Sequence, residues 1–144
     1  MLIRSLEPGG YLELAEVQVP FDCDDGTALE THAHMRWFRL IVEASEKMGR
    51  PFVQPTLLKE QMEKVGFEDV RVRKDIWPVN PWPKGRRWKE LGMVVLENFD
   101  AGLESFSYML CMKGLGWSKE EVDKLLVEVR KNLKDRSIHL YMTV

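Results

Sequence analysis

The stretch Pro8-Gly9-Gly10-Tyr11-Leu12-Glu13-Leu14-Ala15-Glu16-Val17 decides the fold class of this chain. Proline cannot extend a helix and glycine supplies turn conformations, so Pro8-Gly9-Gly10 ends a helical turn predicted over residues 2–6. The next residues, 11–17, predict a strand with apolar side chains on both faces. Such a strand is covered on both sides, as in an α/β sheet. The stretch therefore predicts an α/β protein.

Helices are predicted after this strand from apolar residues at helical spacing. The first two cover about 29–48 and 55–65, and Gly66 fits a left-handed C-terminal cap. The second is expected to be buried through three residues, Leu58, Met62 and Val65.

Two more helices and two more strands complete the predicted order β-α-α-β-α-α-β. A long helix covers about 86–112, with a break allowed near 100–102. The last helix, to about Lys134, opens on the capping box Ser118-Lys119-Glu120-Glu121. The added strands are residues 70–77, half-exposed as at a sheet edge, and residues 138–144. We expect one domain over residues 1–144.

The composition describes a globular protein without an evident charged partner. The chain has 144 residues, of which 44% are hydrophobic and 31% charged, and its net charge of −2 favours neither nucleic acid nor an anionic membrane. No apolar run spans a bilayer, and no secretory signal pattern is present. Cys23 and Cys111 form neither a disulfide framework nor a metal spacing. We expect a cytoplasmic protein without a bound metal.

Several motifs carry a family resemblance. Ser5-Leu6-Glu7-Pro8-Gly9-Gly10-Tyr11-Leu12-Glu13-Leu14 resembles the Leu-Lys-Pro-Gly-Gly turn before the fifth strand of class I S-adenosylmethionine-dependent methyltransferases. Others resemble the fungal members of secondary metabolism: Cys23-Asp24-Asp25-Gly26-Thr27, Gly49-Arg50-Pro51, Val65-Gly66-Phe67, Pro81-Trp82-Pro83-Lys84 and Leu115-Gly116-Trp117-Ser118. The resemblance covers essentially the whole chain but only the C-terminal half of the family.

This resemblance implies a small three-stranded mixed sheet with strands in the order five, seven, six. The family's lid helices would form an insertion over about 84–134. In the family, the cofactor lies on a glycine-rich loop after the first strand, and an acidic residue ending the second strand holds the ribose. Here no Gly-x-Gly-x-x-Gly occurs. We therefore expect no cofactor bound by this chain alone.

The resemblance also leaves the edge at Tyr11–Val17 without its family neighbour. An apolar, regular, unpaired strand edge associates with other chains unless something covers it. We therefore predict a homodimer joined along this edge or across the faces beside it.

Two residues are candidates for catalysis. His34 lies on the flank of the apolar face of the first long helix, where an imidazole could polarise a carbonyl or move a proton. A histidine at the core boundary, bonded to a neighbour, is the competing interpretation. Tyr108, in the lid region, could donate its hydroxyl to a substrate oxygen.

Candidate substrate-binding residues are large, pliable or aromatic side chains, and a plain core role for them stays open. They are Trp37, Phe38, Trp82, Trp88, Met109 and Met112. The acidic turn Asp22 to Asp25 is well placed for a ligand, but a solvated turn with one aspartate capping the next helix is favoured. The basic cluster Lys84–Lys89 is interpreted as a solvated helix start rather than a phosphate site.

Two functions are consistent with these features. The first is a protein of natural-product biosynthesis that needs no S-adenosylmethionine, binds an apolar intermediate and catalyses a cyclisation or isomerisation. His34 and Tyr108 would then be donors, and the tryptophans would be the walls. The second is a non-enzymatic interaction module or half-methyltransferase completed by a partner chain. An inactive truncated product also stays open.

Overall fold

A computed structural model describes residues 6–144, and its elements follow the order α-α-β-α-α-β. They are α1 Ala33–Lys47, α2 Pro55–Lys64, β1 Ile76–Pro78, α3 Arg86–Leu115, α4 Lys119–Lys134 and β2 Tyr141–Thr143. β1 and β2 pair antiparallel, with Trp77 opposite Met142. The α/β class is thus confirmed, with four helices and a two-stranded sheet in the described residues. The helical turn predicted over residues 2–6 falls outside them, apart from Leu6.

The core lies among α1, α3 and α4. The buried face of α4 repeats at helical spacing: Val122, Leu125, Leu126, Val129 and Leu133. Trp37 of α1 is 2% exposed, and its Nε1 donates to Ser107 Oγ of α3 at 2.9 Å. A buried N–H requires a partner, so this bond fixes the indole between the two helices.

The ends of α3 and α4 follow local sequence signals. Gly116 ends α3 in the left-handed region at φ 72°, where glycine carries no steric cost. Ser118 Oγ accepts from the Glu121 amide at 3.2 Å, and the Glu121 carboxylate accepts from the Ser118 amide at 2.8 Å. The predicted capping box is therefore confirmed. No break occurs near 100–102, because α3 is one continuous helix.

The predicted three-stranded sheet is not confirmed. Residues 11–17 form no strand, and Tyr11 is 96% exposed. Pairing with β2 begins only at Gln18, whose amide donates to Thr143 O at 2.9 Å. Asp22 then forms a β-bridge with Tyr141. No backbone hydrogen bond joins residues 11–17 to another described residue.

The strands predicted over 70–77 and 138–144 are also shorter in the structure. Only Ile76–Pro78 and Tyr141–Thr143 are strands. Asp75 and Val144 still exchange two backbone hydrogen bonds of 2.9 Å, so the pairing continues one residue beyond β1. Residues 70–74 have no neighbouring strand to pair with in the described part of the chain.

The second helix has its predicted ends but not its predicted burial. α2 starts at Pro55, and Gly66 after it has a φ of 102°. However, none of its residues is buried, and Val65 is 56% exposed. The expectation that Leu58, Met62 and Val65 are buried is wrong, because α2 packs on no other described helix or strand. Its apolar side has no described surface to cover it.

Candidate functional site

The candidate site lies where residues 18–22 and β1 end and β2 begins. Asp22 and Pro78 both stand opposite Tyr141, on the two sides of β2. The two flanking segments therefore run in the same direction and end at the same level. In α/β folds, ligands bind beyond the carboxyl ends of such segments.

The acidic turn pairs with alternate residues of the last strand region. Asp22 accepts from Thr143 Oγ1 at 3.4 Å, Asp24 from the Tyr141 hydroxyl at 2.6 Å, and Asp25 from His139 Nδ1 at 2.5 Å. Alternate strand residues point to one face, so the three bonds form a ladder. No aspartate caps α1, whose N-cap is His32 without a side-chain bond. The predicted capping role is therefore wrong.

His139 is held on several sides. Its amide donates to Thr27 Oγ1 at 2.8 Å, and its ring stacks on Trp82 with centroids 4.6 Å apart. The Trp82 indole N–H donates to Leu140 O at 2.9 Å, which fixes the stacking ring. The bond from His139, together with those from Thr27, holds the pKa of Asp25 well below its usual value. Asp25, Thr27 and Trp82 together therefore fix the position of the His139 ring.

The pair can act as a proton acceptor. An ionised carboxylate only accepts hydrogen bonds, so His139 Nδ1 is the donor to Asp25, and in a neutral ring Nε2 then has the lone pair. The other ring nitrogen, Nε2, makes no hydrogen bond to the described residues. It is also not fully buried, so a substrate atom could reach it. Asp25 would stabilise the imidazolium formed when Nε2 takes a proton.

Sequence reasoning missed His139. The available signal was the alternation of the last segment, in which polar His139, Tyr141 and Thr143 interleave with apolar neighbours. That period of two predicts one polar face on the strand. It could not show that the acidic turn, far away in sequence, lies against that face.

Tyr141, beside this pair, is also perturbed. Its hydroxyl donates to Asp24, and that bond raises the pKa of Tyr141 to about 12. The phenol therefore stays protonated at neutral pH and acts as a donor to Asp24.

The structure places His34 inside the core. The side chain is fully buried, and its Nδ1 lies 3.3 Å from Asn132 Oδ1 of α4. Burial lowers the pKa of His34 to about 4, although the bond to Asn132 opposes this. The imidazole is therefore neutral at pH 7. Its Nε2 is buried without a partner among the described residues.

Tyr108 is half-buried on α3 and contacts a different part of α4. Its hydroxyl donates to Asp123, and the Lys119 ammonium lies 5.0 Å from its ring centroid. The bond to Asp123 raises the pKa of Tyr108. Asp123 and Asn132 are about 13 Å apart along the helix axis. The structure therefore does not bring His34 and Tyr108 together.

The predicted substrate-binding residues do not line one common cavity in the described part of the chain. Trp37 and Phe38 are core residues, and Phe38 forms part of an open groove of about 500 Å³ beside Pro20. Met109 and Met112 are exposed on α3 and line neither this groove nor a second groove beside β1. Trp88 lines the second groove, and Trp82 stacks on His139.

Neither a metal centre nor a nucleotide cradle is evident in the described residues. Across residues 6–144, no three His, Cys, Asp or Glu side chains converge as metal ligands would. Gly9 and Gly10 lead into residues 11–17, which do not form a helix, whereas the glycine-rich loop of nucleotide-binding folds leads into a helix N-terminus. This glycine pair therefore does not form such a loop.

None of the helices described has both the length and the hydrophobicity needed to cross a bilayer. The cytoplasmic location stays a prediction.

The chain is similar in sequence to fungal methyltransferases and to fungal regulators of secondary metabolism. It is 38% identical over 140 residues to the probable methyltransferase tdiE of Emericella nidulans. The aligned region covers 97% of this chain and 44% of that protein. It is 34% identical over 134 residues to the methyltransferase pytC of Aspergillus terreus, covering 93% and 41%. It is 26% identical over 141 residues to the secondary metabolism regulator LAE1 of Cochliobolus heterostrophus, covering 96% and 46%.

These comparisons confirm the resemblance found in the sequence motifs. The chain spans less than half the length of the curated relatives it matches. No family model matches the chain. No solved structure matches it either.

Proposed function

We propose that this chain is the substrate-side part of a methyltransferase-fold protein of fungal secondary metabolism, completed along residues 11–17 by a cofactor-binding segment. The observation that carries the proposal is the extended stretch Tyr11–Val17. It continues directly into residues 18–22, which pair with β2. Its backbone has no strand partner among the described residues, and Tyr11, Leu14 and Val17 are exposed. Such a stretch is a template for an added strand.

Two further observations support the same proposal. The relatives are more than twice as long as the matched region, so each contains a large segment without a counterpart here. In addition, α2 packs on no described element, so it has an apolar side free to meet an added segment.

The Asp25–His139 pair gives the proposed protein a group that faces its substrate. His139 Nε2 takes the proton from a substrate hydroxyl or N–H. The bond to hydrogen breaks, its electron pair stays on the substrate atom, and the imidazolium is stabilised by Asp25. This proton transfer readies an oxygen or nitrogen nucleophile.

The test mixes this chain with the part of the tdiE protein that it does not match. Light scattering after size exclusion measures the complex, and calorimetry measures S-adenosylmethionine binding. We expect a one-to-one complex that binds the cofactor, whereas this chain alone does not bind it. Leu14→Asp should prevent assembly, while Val127→Asp, at an equally exposed apolar position on α4, should not.

Two outcomes would contradict the proposal. One is stoichiometric cofactor binding by this chain alone. The other is a homodimer of the chain that Leu14→Asp breaks and that excludes the tdiE segment. The second outcome would instead establish the homodimer predicted from sequence.

The cofactor-free cyclisation or isomerisation stays a prediction. His34 and Tyr108 contact α4 at different places, so the geometry gives them no shared cavity in the described residues. If the hypothesis holds, His34→Ala combined with Tyr108→Phe abolishes turnover of the apolar substrate. Unchanged turnover would exclude the assigned roles.

A further inference from the structure

A second surface feature lies beside β1, at the edge of the sheet opposite to residues 18–22. It is an open groove of about 430 Å³ between β1 and the first turns of α3, here called the indole groove. Its lining residues are apolar or charged: Arg73, Asp75, Ile76, Trp77, Arg87, Trp88 and Leu91. A volume of this size is within the usual range for small-molecule sites.

The apolar walls of the indole groove are two partly exposed tryptophans. Trp77 is 37% exposed and Trp88 is 44% exposed, whereas Trp37 in the core is almost completely buried. Covering large, flat, water-exposed rings with another flat apolar surface lowers the free energy. Two indoles on facing elements therefore favour a planar aromatic ligand.

The charged residues of the groove favour an anion. Asp75 holds Arg73 with contacts of 2.8 and 3.0 Å, so the charge of Arg73 is already paired. Arg87 makes no ion pair with a described residue, and its guanidinium lies 5.8 Å from the Trp88 ring centroid. Two arginines and one aspartate give the lining a net charge of +1. A guanidinium stacked on an indole keeps its planar fork free for a carboxylate.

We propose that the indole groove binds a flat aromatic carboxylate, with its ring against Trp77 and Trp88 and its charge on Arg87. β1 and residues 18–22 lie on opposite sides of β2. The groove beside β1 therefore stays open when an added segment pairs with residues 11–17. The inference therefore does not rest on the proposed function, and either can fail alone.

The experiment titrates the 144-residue chain with 2-naphthoate and with 2-naphthamide, which has the same shape but no charge. Calorimetry and tryptophan fluorescence report binding. We expect 2-naphthoate to bind with a dissociation constant on the order of 1 mM or tighter. The amide should bind about fivefold more weakly, as for a partly exposed ion pair.

Neighbouring residues supply matched variants. Arg87→Ala should remove the preference for the carboxylate, and Trp88→Ala should lower the affinity at least about tenfold. Arg86→Ala is the charge control, because Arg86 is already paired with Glu90 at 2.7 Å. Trp82→Phe is the aromatic control outside the groove.

Three results would overturn the inference: no measurable binding of 2-naphthoate, equal binding of the amide, or equal losses in the control and groove variants. Circular dichroism and thermal midpoints of Arg87→Ala, Trp88→Ala and Arg86→Ala should match the wild type, because these three side chains are exposed. If Trp88→Ala unfolds the chain, the two arginine variants still test the inference. Arg87→Ala should lose the preference for 2-naphthoate over 2-naphthamide, and Arg86→Ala should keep it.

Discussion

Asp25 Oδ2 and His139 Nδ1 lie 2.5 Å apart although the residues are 114 positions apart in sequence. The contact joins the loop after residues 18–22 to the start of the last strand. It makes His139 Nδ1 the donor to Asp25 and leaves Nε2 without a hydrogen bond to the described residues. The acidic turn is thereby part of the folded unit rather than a free loop.

The first prediction concerns acid stability. The pKa of Asp25 is lowered in the folded chain by His139 first and Thr27 second. Such a carboxylate stabilises the fold above its unfolded pKa of 3.8, and the contribution is lost as pH falls below that value. Urea midpoints measured from pH 7 to pH 3 should therefore fall more steeply for the wild type than for Asp25→Asn. Asp22→Asn, which loses only a long bond to Thr143, should keep the wild-type slope.

The second prediction concerns the neutral core histidine. Burial lowers the pKa of His34 from 6.5 to about 4, so the unfolded chain binds the extra proton first. The free energy of unfolding should fall as pH drops from about 6.5 towards 4. His34→Gln should flatten this part of the profile. An equally flat profile from His32→Gln would show that the effect does not come from His34.

The third prediction tests the link between α1 and α3. Ser107→Ala leaves the buried Trp37 N–H without its acceptor, which should cost about 1–3 kcal/mol of unfolding free energy. Ser105→Ala on the exposed side of the same helix should change it little. In a double-mutant cycle with Trp37→Phe, the two losses should not add, because both remove one bond. Additive losses would contradict the assignment.

The fourth prediction uses two glycines of α3. A Cβ at Gly92 would lie 2.3 Å from Asn80 O, whereas a Cβ at Gly102 meets nothing within 4 Å. Gly92→Ala should therefore lower the free energy of unfolding by about 1–3 kcal/mol through overpacking. Gly102→Ala should raise it by about 0.5–1 kcal/mol through helix propensity. Equal effects in chemical denaturation would refute the close packing of residue 80 on α3.

Local patterns predicted the helices well and the strands poorly. The capping box at Ser118 and the glycine at 116 act within one turn, so the sequence near them is sufficient. Strand formation at residues 11–17 instead depends on a neighbour, and no described residue supplies one. The burial of α2 failed for the same reason, since an apolar face needs a second surface.

The similarity to fungal methyltransferases was likewise readable from the sequence, because short motifs keep their identity and order without the fold. The candidate site was not. His34 and Tyr108 attracted attention by residue type, but the structure places them on α1 and α3, where they bond to separate residues of α4. His139 and Asp25 form the site candidate only because β2 lies between residues 18–22 and β1.

The sequence by itself therefore determined the α/β class, the helices with their caps, and the relation to fungal methyltransferases, since these depend on residues close together in the chain. Only the tertiary structure decided which side chains meet. It paired Asp25 with His139, enclosed His34 in the core and set Trp77 beside Trp88. Such contacts join distant residues, and their geometry is fixed by the packing of whole elements rather than by any local pattern.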